Sequence, residues 1–194
     1  MPRNRKIFLA VLGAVSALLG GYFLYMSEQG NFHAVTPGEA YRSAQLDRDE
    51  LEHYIRKHRI KSVLNLRNDT ADSAAYREER EVAAENDLAY FQAPISAKRE
   101  PQPHSVENIL KVFDTAPRPL LIHCRYGADR TGLASAMWKA YVNGESKTAA
   151  RGQLSLRYFH LPFGGAAAMD RFFEKWEPPE RPAARQTESS PRSK

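Results

Sequence analysis

The stretch LLIHCRYGADRTG, residues 120–132, decides the fold. Leu120, Leu121 and Ile122 form a short apolar run of the kind found in a central strand buried on both faces. From about Arg130 to Asn143 the pattern is helical, closing at Gly144. Between strand and helix the chain turns through Gly127. A strand passing through a short loop into a helix is the unit of an open α/β sheet, and such sheets carry ligand sites at the carboxyl ends of their strands. The chain's one cysteine, Cys124, stands at that junction.

Outward from the junction, the same alternation repeats. The segment FHAVTPGEAYRSAQ (32–45) predicts a Pro-Gly turn followed by a short strand. Asp47 caps a helix running to about Lys57, with Leu51, Tyr54 and Ile55 on one face. IKSVLNLR (60–67) and LAYFQAPI (88–95) read as strands, separated by a helix over 73–86. AKREPQPH (97–104) is a proline-rich loop, and Ser105 to Thr115 a helix closed by Pro117 and Pro119. Further helices are expected from Lys147 to about Tyr158 and from Ala167 to Trp176. The predicted architecture is a central, mostly parallel sheet flanked by helices.

Ahead of this body, residues 7–26 (IFLAVLGAVSALLGGYFLYM) carry no charge. As a helix rising about 1.5 Å per residue they would span roughly 30 Å, the thickness of a bilayer core. Arg3, Arg5 and Lys6 before the stretch and Glu28 after it predict a cytoplasmic N-terminus, with Tyr22 and Tyr25 near the far interface. The expectation is a single-pass anchor, 1–26, holding a periplasmic or otherwise extracytoplasmic domain over 27–176, with a cleaved signal peptide and a buried core helix as the alternatives. Residues 177–194 have the composition of a disordered tail.

Charge and cysteine usage exclude other classes. The net charge of +5 comes from 28 basic and 23 acidic residues, and much of the excess sits at the two ends. The body has no field that would gather nucleic acid. A lone cysteine rules out a disulfide framework and a Cys-based zinc site. His33, His53, His58, His104 and His160 show no metal-ligand spacing, so neither metal nor cofactor is expected.

The chemistry concentrates at 123–132. Helix N-terminal amides and a nearby guanidinium both favour a thiolate at Cys124. The amides of Arg125, Tyr126, Gly127, Ala128, Asp129 and Arg130 can curl into a nest for a phosphate dianion, and Arg130 can grip two of its oxygens. A thiolate beneath a bound phosphate is placed for in-line attack, giving a phosphocysteine.

These residues resemble the cysteine-dependent protein tyrosine phosphatase superfamily, whose signature HCxxGxxRTG is filled at every fixed position. The likeness is nearest to compact bacterial dual-specificity phosphatases. It extends to GEAYRSAQ (38–45) and IKSVLNLR (60–67), and covers about 31–176. It implies Cys124 as nucleophile, Arg130 binding phosphate and stabilising the transition state, Thr131 assisting departure of the thiolate, and His123 orienting Cys124. Its implied substrates are phosphotyrosine or phosphoserine/threonine proteins. Two other readings stand beside it: a catalytically inactive relative that only binds phosphate, and sulfur transfer, whose CRxG loops carry the arginine one residue sooner.

One departure concerns the general acid. The family usually supplies an aspartate from a loop some thirty residues before the cysteine, where this chain has PISAKREPQP with Glu100 as its only carboxylate. Asp129, inside the loop, is the other candidate and the favoured one. Myotubularin-like and Sac-type lipid phosphatases have an aspartate at the same place, which keeps phosphoinositides and inositol phosphates open as substrates. Asp129 also makes the loop less positive, which suits a highly phosphorylated head group poorly.

Overall fold

The computed structural model describes residues 3–181. Helix α1 (Arg3–Glu28) leads into a hairpin of β1 (His33–Thr36) and β2 (Ala40–Ser43). Then follow α2 (Arg48–His58), β3 (Ser62–Asn65), α3 (Ala74–Glu85), β4 (Ala89–Gln92), α4 (Pro103–Thr115), β5 (Leu120–His123) and α5 (Asp129–Tyr141). The chain ends in the short α6 (Lys147–Ala150), two 3-10 turns at 151–153 and 156–158, and α7 (Ala167–Lys175).

The five strands lie in the order β1-β2-β5-β3-β4, with β1 antiparallel to β2 and every other pair parallel. Alternation along the strands divides the core. Leu120, Ile122 and Leu64 face one side, packed with Ile109 and Phe113 of α4, Leu133 and Trp138 of α5, and Phe173 of α7. Leu121, Val63 and Tyr41 face the other, against Leu51 and Ile55 of α2 and Val82 of α3. The central position of β5 brings the carboxyl ends of β2 and β3 to either side of Cys124. Local chemistry agrees with these elements. Asp47 and Glu50 form a reciprocal capping box on α2, Ser73 caps α3, and Arg56, Lys57 and His58 complement the last turn of α2.

The N-terminal expectation is corrected. Among the described residues no helix is long and apolar enough to cross a membrane. The side chains at 6, 10, 19 and 23–27 lie outside the described residues, and Gly13, Gly20 and Gly21 add no apolar side chain to what remains. Tyr22 contacts the sheet domain. Its hydroxyl donates to the Arg157 carbonyl at 2.9 Å, and its ring meets Phe159 edge-on at 5.8 Å, which docks the far end of α1 on the sheet domain. The transmembrane anchor is therefore not supported, nor are the membrane partner and the periplasmic placement inferred from it. Of the tail, residues 182–194 lie outside the described residues, while Arg181 donates to the Val142 carbonyl at 3.2 Å.

Candidate active site

Cys124 follows β5 directly and is 3% exposed. The loop after it is held by its carbonyls, one after another. The Arg125 carbonyl accepts from the Gln45 amide at 3.2 Å, and the Tyr126 carbonyl from Asn31 Nδ2 at 3.0 Å. The Gly127 carbonyl accepts from Arg42 Nη2 at 2.7 Å, and the Ala128 carbonyl from the Gly132 amide at 2.8 Å. Four successive carbonyls are thus engaged by the surrounding protein. Among the described residues no acceptor engages the amides of 125–130. A run of amides that meet no protein acceptor is an anion-binding concavity.

Gly127 makes this turn possible on two counts. Its φ is +68°, in the left-handed region, and a Cβ there would stand 2.7 Å from the Ser43 and Ala44 backbone. Arg130 is half-buried and reaches back toward β3, with Nη1 3.4 Å from the Leu66 carbonyl. Thr131 is fully buried, and its hydroxyl has no partner among the described residues.

His123 stands on a buried polar network. Its Nε2 lies 2.8 Å from Glu79 Oε1 of α3. Glu79 also accepts from Gln45 Nε2, Asn65 Nδ2 and the Tyr90 hydroxyl, at 3.1, 3.0 and 2.6 Å. Burial works against its charge, but His123, Tyr90 and Gln45 outweigh burial and hold Glu79 below the usual carboxylate range. Burial and that same carboxylate push the Tyr90 phenol upward. Arg67 is drawn in as well, donating to Gln45 Oε1 at 2.7 Å and pairing with Asp69 at 2.8 Å.

Asp129 opens α5 and is joined to a second network. Its Oδ1 lies 2.8 Å from Nδ1 of His160, whose Nε2 is 2.8 Å from Asp170 Oδ2 on α7. His160 is 1% exposed. Burial lowers its pKa, but the two carboxylates overcome burial and raise it above 6.5. A raised histidine contributes its stability in full below 6.5 and loses it as pH climbs through the raised value. His160→Gln should therefore destabilise the protein most on the acid side, by about 3 kcal/mol at pH 6. Thermal melts from pH 5.5 to 9 check this: the gap between wild type and variant should narrow as pH rises, and a constant gap contradicts it.

A cleft of about 480 Å³ opens against the loop, lined by Arg125, Tyr126, Ala128 and Asp129 and faced by Gln45, Glu50 and Phe159. Tyr126 is 66% exposed at its edge. Glu100 is not among its lining residues. It lies in a separate cleft with Ile95 and His104, and pairs with Arg171 at 3.5 Å and Lys175 at 3.3 Å on α7. His123 through Thr131 lie at one junction and Glu100 lies in another cleft, while Cys124 and Arg130 line neither of the two. Glu79, His160, Asp170 and Arg42 also belong to the neighbourhood, brought in from distant parts of the chain.

No curated protein matches the chain by sequence. Solved structures share its fold. The core catalytic domain of the PP-IP phosphatase SIW14 from S. cerevisiae, in complex with citrate, is 23% identical with a TM-score of 0.63, covering 76% of this chain and 85% of that one. TpbA from P. aeruginosa is 20% identical with a TM-score of 0.58 over 76% and 85%. A complex of a TpbA variant with pTyr is 19% identical with a TM-score of 0.57 over 75% and 84%. The family described as "DSP-PTPase phosphatase fused to NAD+ Kinase" matches residues 24–169, most of the chain and the whole of the loop between β5 and α5. By that match the protein belongs to the DSP-PTPase phosphatase family, the cysteine-dependent group that its loop resembles.

Proposed function

We propose that the chain hydrolyses phosphomonoesters through a phosphocysteine, with phosphotyrosine in proteins as its preferred substrate class. The observation that carries the reading is the row of unengaged amides at 125–130 beside buried Cys124. Cys124 sulfur attacks phosphorus in line, forming the S–P bond as the ester P–O bond breaks. The leaving oxygen takes a proton, for which Asp129 is the donor. Water then attacks phosphorus and expels the Cys124 thiolate, releasing inorganic phosphate. Arg130 clamps two equatorial oxygens throughout. Thr131 donates to the departing sulfur, a role its otherwise unpartnered hydroxyl leaves it free to take. His123, backed by Glu79, fixes the base of the loop.

The substrate class rests on the cleft. Tyr126 and Phe159 offer apolar surface to an aryl ring, whereas Glu50 and Asp129 set negative charge where a polyphosphate would sit. The SIW14 domain is that of a PP-IP phosphatase, so an inositol phosphate is the second reading. A panel run with a chelator decides between them: phosphotyrosine peptides, phosphoserine/threonine peptides, phosphoinositides and inositol polyphosphates. The phosphotyrosine peptides should lead in kcat/KM by about tenfold or more. A lead by inositol phosphates reverses the substrate class, and tight binding without turnover makes the chain a phosphate-binding module.

A further inference from the structure

Arg42, on β2, is 0% exposed and its guanidinium is divided between two segments. Nη1 donates to the Gln153 carbonyl and to Gln153 Oε1, both at 2.9 Å. Nη2 donates to the Gly127 carbonyl at 2.7 Å and stands 3.5 Å from the Ala128 carbonyl. The Tyr158 ring packs against the guanidinium, 3.8 Å from Cζ to the centroid. Nε is buried without an acceptor, and among the described residues no carboxylate pairs with Arg42.

A buried guanidinium without a counter-ion is costly to the fold, and a well-packed apolar side chain would be cheaper. Its retention calls for an anion that is not part of the resting protein. The loop it grips is where the phosphate would sit. We propose that Arg42 is the positioning residue of the phosphate cradle: it holds the Gly127 and Ala128 carbonyls outward, so that the loop amides face the anion, and its unpaired charge favours an oxyanion beside Cys124.

Three observations agree. Burial lowers the Arg42 pKa to about 10, which leaves it charged at neutral pH, while the anionic forms of Tyr158 and Cys124 pull it upward. Burial, then Arg42 and Arg157, hold His33 near 4, so the neighbourhood is electropositive. Gly132 clears the approach, since a Cβ there would lie 3.0 Å from the Gln153 carbonyl and 3.6 Å from Arg42 Nη2. The glycine of the RTG triplet thus admits the turn that aims Arg42.

This inference rests on the phosphocysteine reading, and its test uses an anion that binds without turnover. Inorganic phosphate and orthovanadate serve as probes on the full-length protein. Arg42→Met should weaken both by about 100-fold and lower kcat/KM for an aryl phosphate by a similar factor, as removal of a preorganised oxyanion donor does. Arg42→Lys, which keeps the charge but not the fork, should recover about tenfold of that loss. A cooperatively melting Arg42→Met protein whose anion affinities stay within about threefold of wild type overturns the proposal. Should that variant not fold, Arg42→Lys alone decides: it keeps the charge but not the fork to the Gln153 and Gly127 carbonyls, and about tenfold weaker phosphate binding than wild type is expected. Unchanged binding there overturns the proposal. Failure of the phosphocysteine reading looks different, as a wild type that binds phosphate through Arg42 but turns nothing over.

Discussion

Cys124→Ser should reduce turnover of an aryl phosphate by at least about 10⁴-fold, because removing a covalent nucleophile from an assembled site costs on that order or more. A serine hydroxyl at this place has no base to activate it, whereas a thiol needs only to ionise near the helix terminus. The cradle should survive the change. Its anchors are backbone carbonyls held by Gln45, Asn31, Arg42 and Gly132, none of which involves the cysteine sulfur. Inorganic phosphate should therefore bind the variant within about threefold of wild type, and melting should shift by no more than a few degrees. Titration of phosphate, with turnover measured in the presence of a chelator, checks both halves together. Retained turnover would remove Cys124 from the chemistry. Lost phosphate binding would mean the substitution had damaged the loop and would leave the nucleophile to be tested by trapping the phosphocysteine.

The loop of the site could be read in advance, and the contacts that anchor it could not. Cys124, Gly127, Arg130 and Thr131 fall within eight residues, and one loop between a strand and a helix joins them. A short continuous apolar run and a following helical pattern suffice to place such a loop at a strand's carboxyl end. The Asp47 cap of α2 was legible for the same reason, since the cap adjoins the helix it starts, whereas its reciprocal partner Glu50 emerges from the structure. Contacts between distant segments were not. Arg42 meets Gly127 across 85 positions, and His160 meets Asp129 across 31. Glu79 left one trace: it shares the buried stripe of α3 with Val82 and Ala83, an acid where the helical period expects an apolar residue.

The single helix expected from Lys147 to Tyr158 shows the same limit. The chain instead leaves α6 after Ala150 and passes through two tight turns, which frees the Gln153 carbonyl for Arg42 and sets Phe159 in the left-handed region. A tertiary hydrogen bond to a buried cation outweighs local helix propensity there. At the other end, β1 is only four residues long, and it is a strand because β2 pairs with it across the Pro37-Gly38 turn. The stretch 7–26 failed differently. Its composition suggested a solvent for the helix, and composition says nothing of the Tyr22 contact with Arg157 that docks its end.

Asp129→Asn should slow substrates with poor leaving groups by roughly 10²–10⁴-fold and leave activated aryl phosphates nearly unchanged, since only a basic leaving oxygen needs its proton supplied in the transition state. Asp129 has the position for this, on the loop itself and facing the cleft. His160 lies 2.8 Å from its Oδ1 and can pass the carboxyl a proton as the leaving oxygen takes one, becoming neutral itself. Glu100 has neither advantage. Its carboxylate is engaged by Arg171 and Lys175 in a different cleft, so Glu100→Gln should alter no leaving-group dependence. The comparison needs one control, because Asp129→Asn also disturbs the link to His160. If the aspartate only shapes the loop, Asp129→Asn and His160→Gln should slow every substrate alike, activated or not. A steeper dependence on leaving-group pKa in Asp129→Asn, beyond any general slowing in His160→Gln, identifies proton delivery. A steeper dependence in Glu100→Gln instead would require the 97–104 segment to release α7 and close over the substrate, and would reduce Asp129 to a tie between the loop and His160.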